Sequence, residues 1–159
     1  MTRDTTNPYY DYYRSAGEEI SSTFEGRHVY IQESSLVHPF HTSGFVEKGD
    51  PVAFFDGVGI ALKSAVSATD IVPVDTEGIW RVSVTNTGVN QFGDITVGQV
   101  IYINAAGVVY DEWSTSFAIF GYALEPIDDP GQGAPITQVI AVKVHWMWPF
   151  WFYTTDIEA

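Results

Sequence analysis

The sequence predicts an all-β fold, a small barrel or sandwich. Short apolar runs arrive roughly every 8–15 residues, with Gly, Asn, Asp and Pro turn signals between them. Several runs alternate apolar and polar residues with the period of two that belongs to a half-buried strand. No segment of ten or more residues carries a good apolar stripe at helical spacing.

The chain is organised around Gly49–Leu62, G-D-P-V-A-F-F-D-G-V-G-I-A-L. Two apolar runs, Val52–Phe55 and Val58–Leu62, flank Asp56-Gly57. Asp-Gly between apolar runs predicts a tight hairpin with Asp56 and Gly57 at its centre. Asp50-Pro51 presets the turn before it, because proline fixes φ and donates nothing to a ladder.

From the start of the chain, residues 1–26 read as an extended N-terminal arm. It carries Tyr9, Tyr10, Tyr12 and Tyr13 after Asn7-Pro8. Ser15 and Glu18 fit a capping box, but Gly17 and the Ser/Thr run limit any helix to a turn or two. Four tyrosines pair flat apolar bodies with single hydroxyls, which is interface chemistry. His28–Gln32 is a strand candidate, and Ser34–His41 follows it. After the central hairpin, residues 63–71 form a polar connection into Val72-Pro73-Val74. In Ile79–Val84, Trp80, Val82 and Val84 share an inner face and Arg81 points outward. Gln99–Ile103 and Val108–Asp111 form a second hairpin around Asn104–Gly107. Ser116–Leu124 is a strand in which Gly121 marks a bulge or a close backbone approach. Glu125–Pro135 is a Pro/Gly loop. In Ile136–Trp146, which closes the domain, Ile140, Val142, Val144 and Trp146 share one face. The predicted division is an arm at 1–26, a barrel domain at 27–146 and a C-terminal extension at 147–159.

The C-terminal run Trp146-Met147-Trp148-Pro149-Phe150-Trp151-Phe152-Tyr153 cannot turn every ring inward on one strand, and Pro149 breaks the ladder. It either caps the barrel or lies on another chain, since so apolar a patch left in water invites aggregation. Trp and Tyr are enriched where partners bind most tightly, which favours the contact.

Twenty acids against seven bases give a formal net charge of −13. That argues against nucleic acid and anionic membrane as partners, since both select basic patches. It suits a soluble protein or one that docks on a basic surface. The absence of cysteine excludes disulfides and thiolate-held metal. The N-terminal residues have no apolar signal segment, and no apolar run reaches the roughly 18–20 residues of a membrane-spanning helix. His38 and His41 are spaced H-x-x-H, but Pro39 between them makes the backbone extended, and spacing places no third ligand. The expectation is a turn with two partly exposed imidazoles, and no metal or cofactor. No nucleophile sits in a recognisable motif, and Gly57-Val58-Gly59 is not a dinucleotide fingerprint. The chain is expected not to be an enzyme.

Between about Gly44 and Lys143 an ordered set of motifs stands out: Gly49–Val52, Gly57–Leu62, Gly78-Ile79-Trp80, Val97–Val109, Phe120–Glu125 and Val142-Lys143-Val144. In order and spacing this set resembles the phage head decoration, or capsid cement, proteins. The resemblance implies a compact β-barrel or β-tulip-like unit on the outside of a phage head. It implies a homotrimer that binds the major capsid protein and stabilises the shell, with no catalytic residues. Tyr9, Tyr10, Tyr12, Tyr13, Trp146, Trp148, Phe150, Trp151, Phe152 and Tyr153 are the candidate partner-binding residues, on extensions that depart from the short family pattern. A carbohydrate-binding β module is the alternative, since exposed Trp and Tyr platforms with acidic partners suit glycans.

Overall fold

The computed structural model describes residues 16–17, 19–21, 28–88, 93–112, 118–128 and 135–145. Within them the chain forms β1 (Glu19–Ser21), β2 (His28–Gln32), β3 (Pro51–Phe54), β4 (Gly57–Ala61), β5 (Ile71–Asp75), β6 (Glu77–Asn86), β7 (Val100–Ile103), β8 (Val109–Tyr110), β9 (Ala118–Ala123) and β10 (Ile136–His145). One 3₁₀ turn, Glu33–Ser35, is the helical element among these residues. The fold is all-β, as the alternation predicts.

Strands β6, β10, β9, β7 and β8 close into a five-stranded barrel. β6 and β10 pair antiparallel over their whole length, from Glu77 opposite His145 to Asn86 opposite Ile136. A short parallel pairing of Val84 and Thr85 with Val109 and Tyr110 completes the ring. Closure leaves no open edge between these strands, which is how a small barrel avoids pairing with other chains. The inner face holds Trp80, Val82, Val84, Ile140, Val142 and Val144, all buried as their alternation requires. Phe120 is the largest fully buried side chain among the described residues. It owes that position to a bulge: Ile101 pairs with Gly121 but Tyr102 pairs with Ile119, so Phe120 is skipped and turned inward. A side chain at Gly121 would strike the Lys143 carbonyl oxygen, so both expectations for that glycine hold. Beyond the Asn86 end of β6, Ile95 and Ile127 exchange backbone bonds of 2.9 and 3.0 Å, and Asn86 Nδ2 donates to the Gly93 carbonyl at 2.8 Å.

β1 pairs with β6 on the barrel, and β2 to β5 form a separate antiparallel sheet in the order β2-β5-β4-β3. Every residue of β4 is buried. Val58 and Ile60 join the barrel core, while Ala61 joins a second cluster with Leu36, Val46, Val52, Phe54, Val72 and Val74. The continuous apolar run in the sequence is thus a strand covered on both faces. Pro73 sits inside this sheet without breaking it. Its carbonyl accepts the Leu62 N–H at 2.8 Å just past the end of β4, so the missing N–H falls on the same side, where the ladder has run out.

The central hairpin differs from expectation by one residue. Phe54 pairs with Gly57, so Phe55 and Asp56 form the two-residue loop and Gly57 belongs to β4. The reason is packing. The Phe54 ring lies over Gly57, where any side chain would collide with it. The glycine serves the ring, and Phe55 takes the left-handed position of the turn, at φ 53°.

Candidate functional site

The ten residues expected to bind partners, Tyr9, Tyr10, Tyr12, Tyr13, Trp146, Trp148, Phe150, Trp151, Phe152 and Tyr153, lie outside the described residues. The structure does describe the points that anchor both segments, and one strand supplies them. Glu19 of β1 pairs with Trp80 of β6, and the Gly17 N–H donates to the Arg81 carbonyl at 2.7 Å. Gly17 also packs directly on Gly49, backbone to backbone. At the other terminus His145, the last described residue, stands opposite Glu77 at the start of the same β6. Trp80 itself is core, with its indole N–H donating to the Glu77 carbonyl at 3.2 Å.

Among the described residues, two aromatic side chains stand almost wholly in water: Phe55 is 98% exposed and Phe40 is 91% exposed. Single exposed apolar residues are ordinary. Phe55 is not, because it combines exposure with a positive φ that a side-chain-bearing residue adopts at a cost. Burial contributes nothing to offset that cost.

Behind Phe40 the chain gathers ionisable groups. Val37 bridges Ala53 of β3, which lays the His38–His41 segment along the start of that strand. His41 Nε2 lies 2.7 Å from Asp50 Oδ2, and His41 Nδ1 lies 3.7 Å from Glu47 Oε1. Asp50 Oδ2 also accepts the Glu47 N–H at 2.7 Å. His38 Nδ1 donates to the Pro39 carbonyl at 2.8 Å, while its Nε2 lies 3.2 Å from Oε1 of the buried Glu33. The two imidazole planes are 9° from parallel, with centroids 6.2 Å apart. One ligand-capable atom from each of His38, His41 and Asp50 lies within 4.8 Å of the others. The imidazoles are partly buried, close to the expected turn. Sequence spacing does not single out Glu33 and Asp50, because they reach the histidines through irregular loop backbone, five and nine residues away, and not through a periodic element. The one local signal was Asp50-Pro51, read as turn chemistry alone.

Other charged groups serve the fold. Arg81 projects from the outer face of β6, and its guanidinium stands 3.5 Å from Glu125 Oε2, which also accepts the Ala141 N–H at 3.0 Å. Buried Asp111 accepts the Thr87 N–H and hydroxyl at 2.9 and 3.0 Å. Asp70 holds the loop before β5, accepting the Val66 N–H at 2.8 Å and the Ser67 hydroxyl at 3.0 Å. These donors, Val66 first, hold its carboxyl below the usual range. Burial pushes the Tyr102 phenol up.

No helix among the described residues is long and apolar enough to cross a membrane. No curated protein and no solved structure matches the chain. Residues 29–144 match the sequence profile of the phage cement proteins, a span that runs from β2 to Val144 near the end of β10 and takes in the barrel strands and the four-stranded sheet but not β1. The match covers well over half the chain, and the chain belongs to the phage cement protein family.

Proposed function

We propose that this chain binds the outer surface of an assembled phage capsid as a homotrimer and cements neighbouring major capsid subunits. The family match over 29–144 carries the reading. The barrel and its companion sheet are the rigid scaffold. The tyrosines at 9–13 and the aromatic run from Trp146 to Tyr153 are the contacts that cross to other chains. Anchoring both segments on β6 suits that role, since it transmits load from either contact into the most extensively paired strand. Phe55 adds a third contact, because an apolar side chain kept in water by an unfavourable backbone is accounted for by burial in a complex. The charge of −13 suits docking on a basic surface. Many copies acting on one shell then gain by avidity.

Co-sedimentation with shells lacking the protein is the test, alongside light scattering of the free chain. The expected results are saturable binding and a mass three times 17.6 kDa. Deleting residues 1–15, which spares β1, should leave the fold intact and weaken binding. Failure of the intact chain to bind shells would overturn the reading.

A further inference from the structure

We propose that His38, His41 and Asp50 form a binding site for a divalent transition metal of the zinc type. The inference is independent of capsid binding. Along the sequence the histidine pair has neither a third ligand nor outer-shell partners at a fixed spacing. The tertiary structure supplies both. Asp50 is the third ligand, brought to His41 by the turn that opens β3. Two imidazoles with one carboxylate are a donor set that zinc, cobalt and nickel favour.

The outer shell is equally specific. A ligating imidazole is oriented by an acceptor at its other nitrogen. His38 has the Pro39 carbonyl and the Glu33 carboxylate at its two nitrogens, and His41 has Glu47 and Asp50. His38 can therefore give Nε2 to a metal and keep the Pro39 carbonyl on Nδ1, while His41 gives Nε2, the atom beside Asp50, and turns Nδ1 toward Glu47, which stands 3.7 Å away and must close to make a hydrogen bond. Glu33, Glu47 and Asp50 together place three carboxylates around two imidazoles, a negative charge that a dication largely offsets. Glu33 is 5% exposed, so little water screens it.

The geometry is close to what binding needs. Tetrahedral ligands at zinc distances lie about 3.3 Å apart. The His41–Asp50 pair, now 2.7 Å apart, must open slightly, and the group as a whole, spanning 4.8 Å, must draw in. Side-chain rotation accomplishes both. The backbone is already fixed, because a residue with any side chain at Gly107 would strike His38 and Pro39. A bound metal would join the His38–His41 segment to the start of β3 and hold Phe40, which lies between the two histidines, in one position.

Zinc chloride titrated calorimetrically into the full chain near neutral pH should bind once per chain. At a hundredfold excess over Kd, zinc should raise Tm by about 5–10 °C. Cobalt(II) should give the visible bands of a tetrahedral site. His41→Gln and His38→Gln should abolish these signals, while His145→Gln should leave them unchanged. Binding should weaken in acid, since protons compete for the imidazoles. No heat and no Tm change in the wild-type chain would overturn the proposal. So would zinc binding of undiminished affinity in a folded His41→Gln chain.

Discussion

Replacing Gly107 by alanine tests how the barrel is joined to the segment that carries His38 and His41. Gly107 is buried in the β7–β8 turn at φ 73°. Its N–H donates to the Asn104 carbonyl at 3.0 Å, and Asn104 Oδ1 accepts the N–H groups of Ala106 and Val108 at 2.9 and 3.0 Å. A methyl group there meets the His38 carbonyl carbon and the Pro39 nitrogen, and lies 2.6 Å from His38 Cα. These are backbone atoms of a proline-stiffened segment, so they cannot rotate away. Two costs therefore add. The left-handed backbone costs alanine about 1–2 kcal/mol, and forced overpacking adds about 1–3 kcal/mol. Gly98 separates them. It has φ 88°, but a methyl group there meets nothing within 4 Å. Urea unfolding should show Gly98→Ala losing about 1–2 kcal/mol and Gly107→Ala about 2–5 kcal/mol. In melting temperature each kcal/mol is about 2–4 °C for a chain of this size. Equal losses for the two variants, within about 0.5 kcal/mol, would show that the turn does not press on His38 and Pro39.

Phe55→Gly should stabilise the free protein by about 0.5–1 kcal/mol, because glycine tolerates φ 53° and Phe55 buries nothing. The same variant should bind shells less well, and unchanged binding would remove Phe55 from the interface. Phe120→Ala should cost about 3–5 kcal/mol in chemical denaturation, since the ring is fully buried at the barrel bulge. Asp70→Asn should lower Tm at neutral pH. The Asp70 carboxyl is depressed in the fold, so its contribution is present above the ordinary carboxylate range and lost as pH falls through the folded value. The gap in Tm between wild type and Asp70→Asn should therefore close in acid, and a gap that stays constant would contradict that account.

Much of the fold was legible in local pattern. His28–Gln32 reads as a strand and is β2. Alternation in Ile79–Val84 and, as far as His145, in Ile136–Trp146 marks the two long strands and which face of each is buried, because side chains on a strand alternate whatever lies opposite; Trp146 lies outside the described residues. Gly121 announced a bulge, since a glycine within an apolar strand has few other uses. The hairpin loop was misplaced by one residue, because the demand on Gly57 comes from the Phe54 ring across the turn, and turn statistics see only neighbours.

The sequence by itself determined that this is an all-β chain with aromatic, acidic character and the ordered motifs of the phage cement proteins, because those properties live in composition and short-range periodicity. Tertiary structure alone decided that β8 closes the barrel by parallel pairing, that β4 is covered on both faces, and that Glu33 and Asp50 meet His38 and His41. The strand contacts join segments far apart in the chain, and the His38 and His41 contacts, five and nine residues away, depend on how an irregular loop folds back. Spacing along the sequence carries no trace of either.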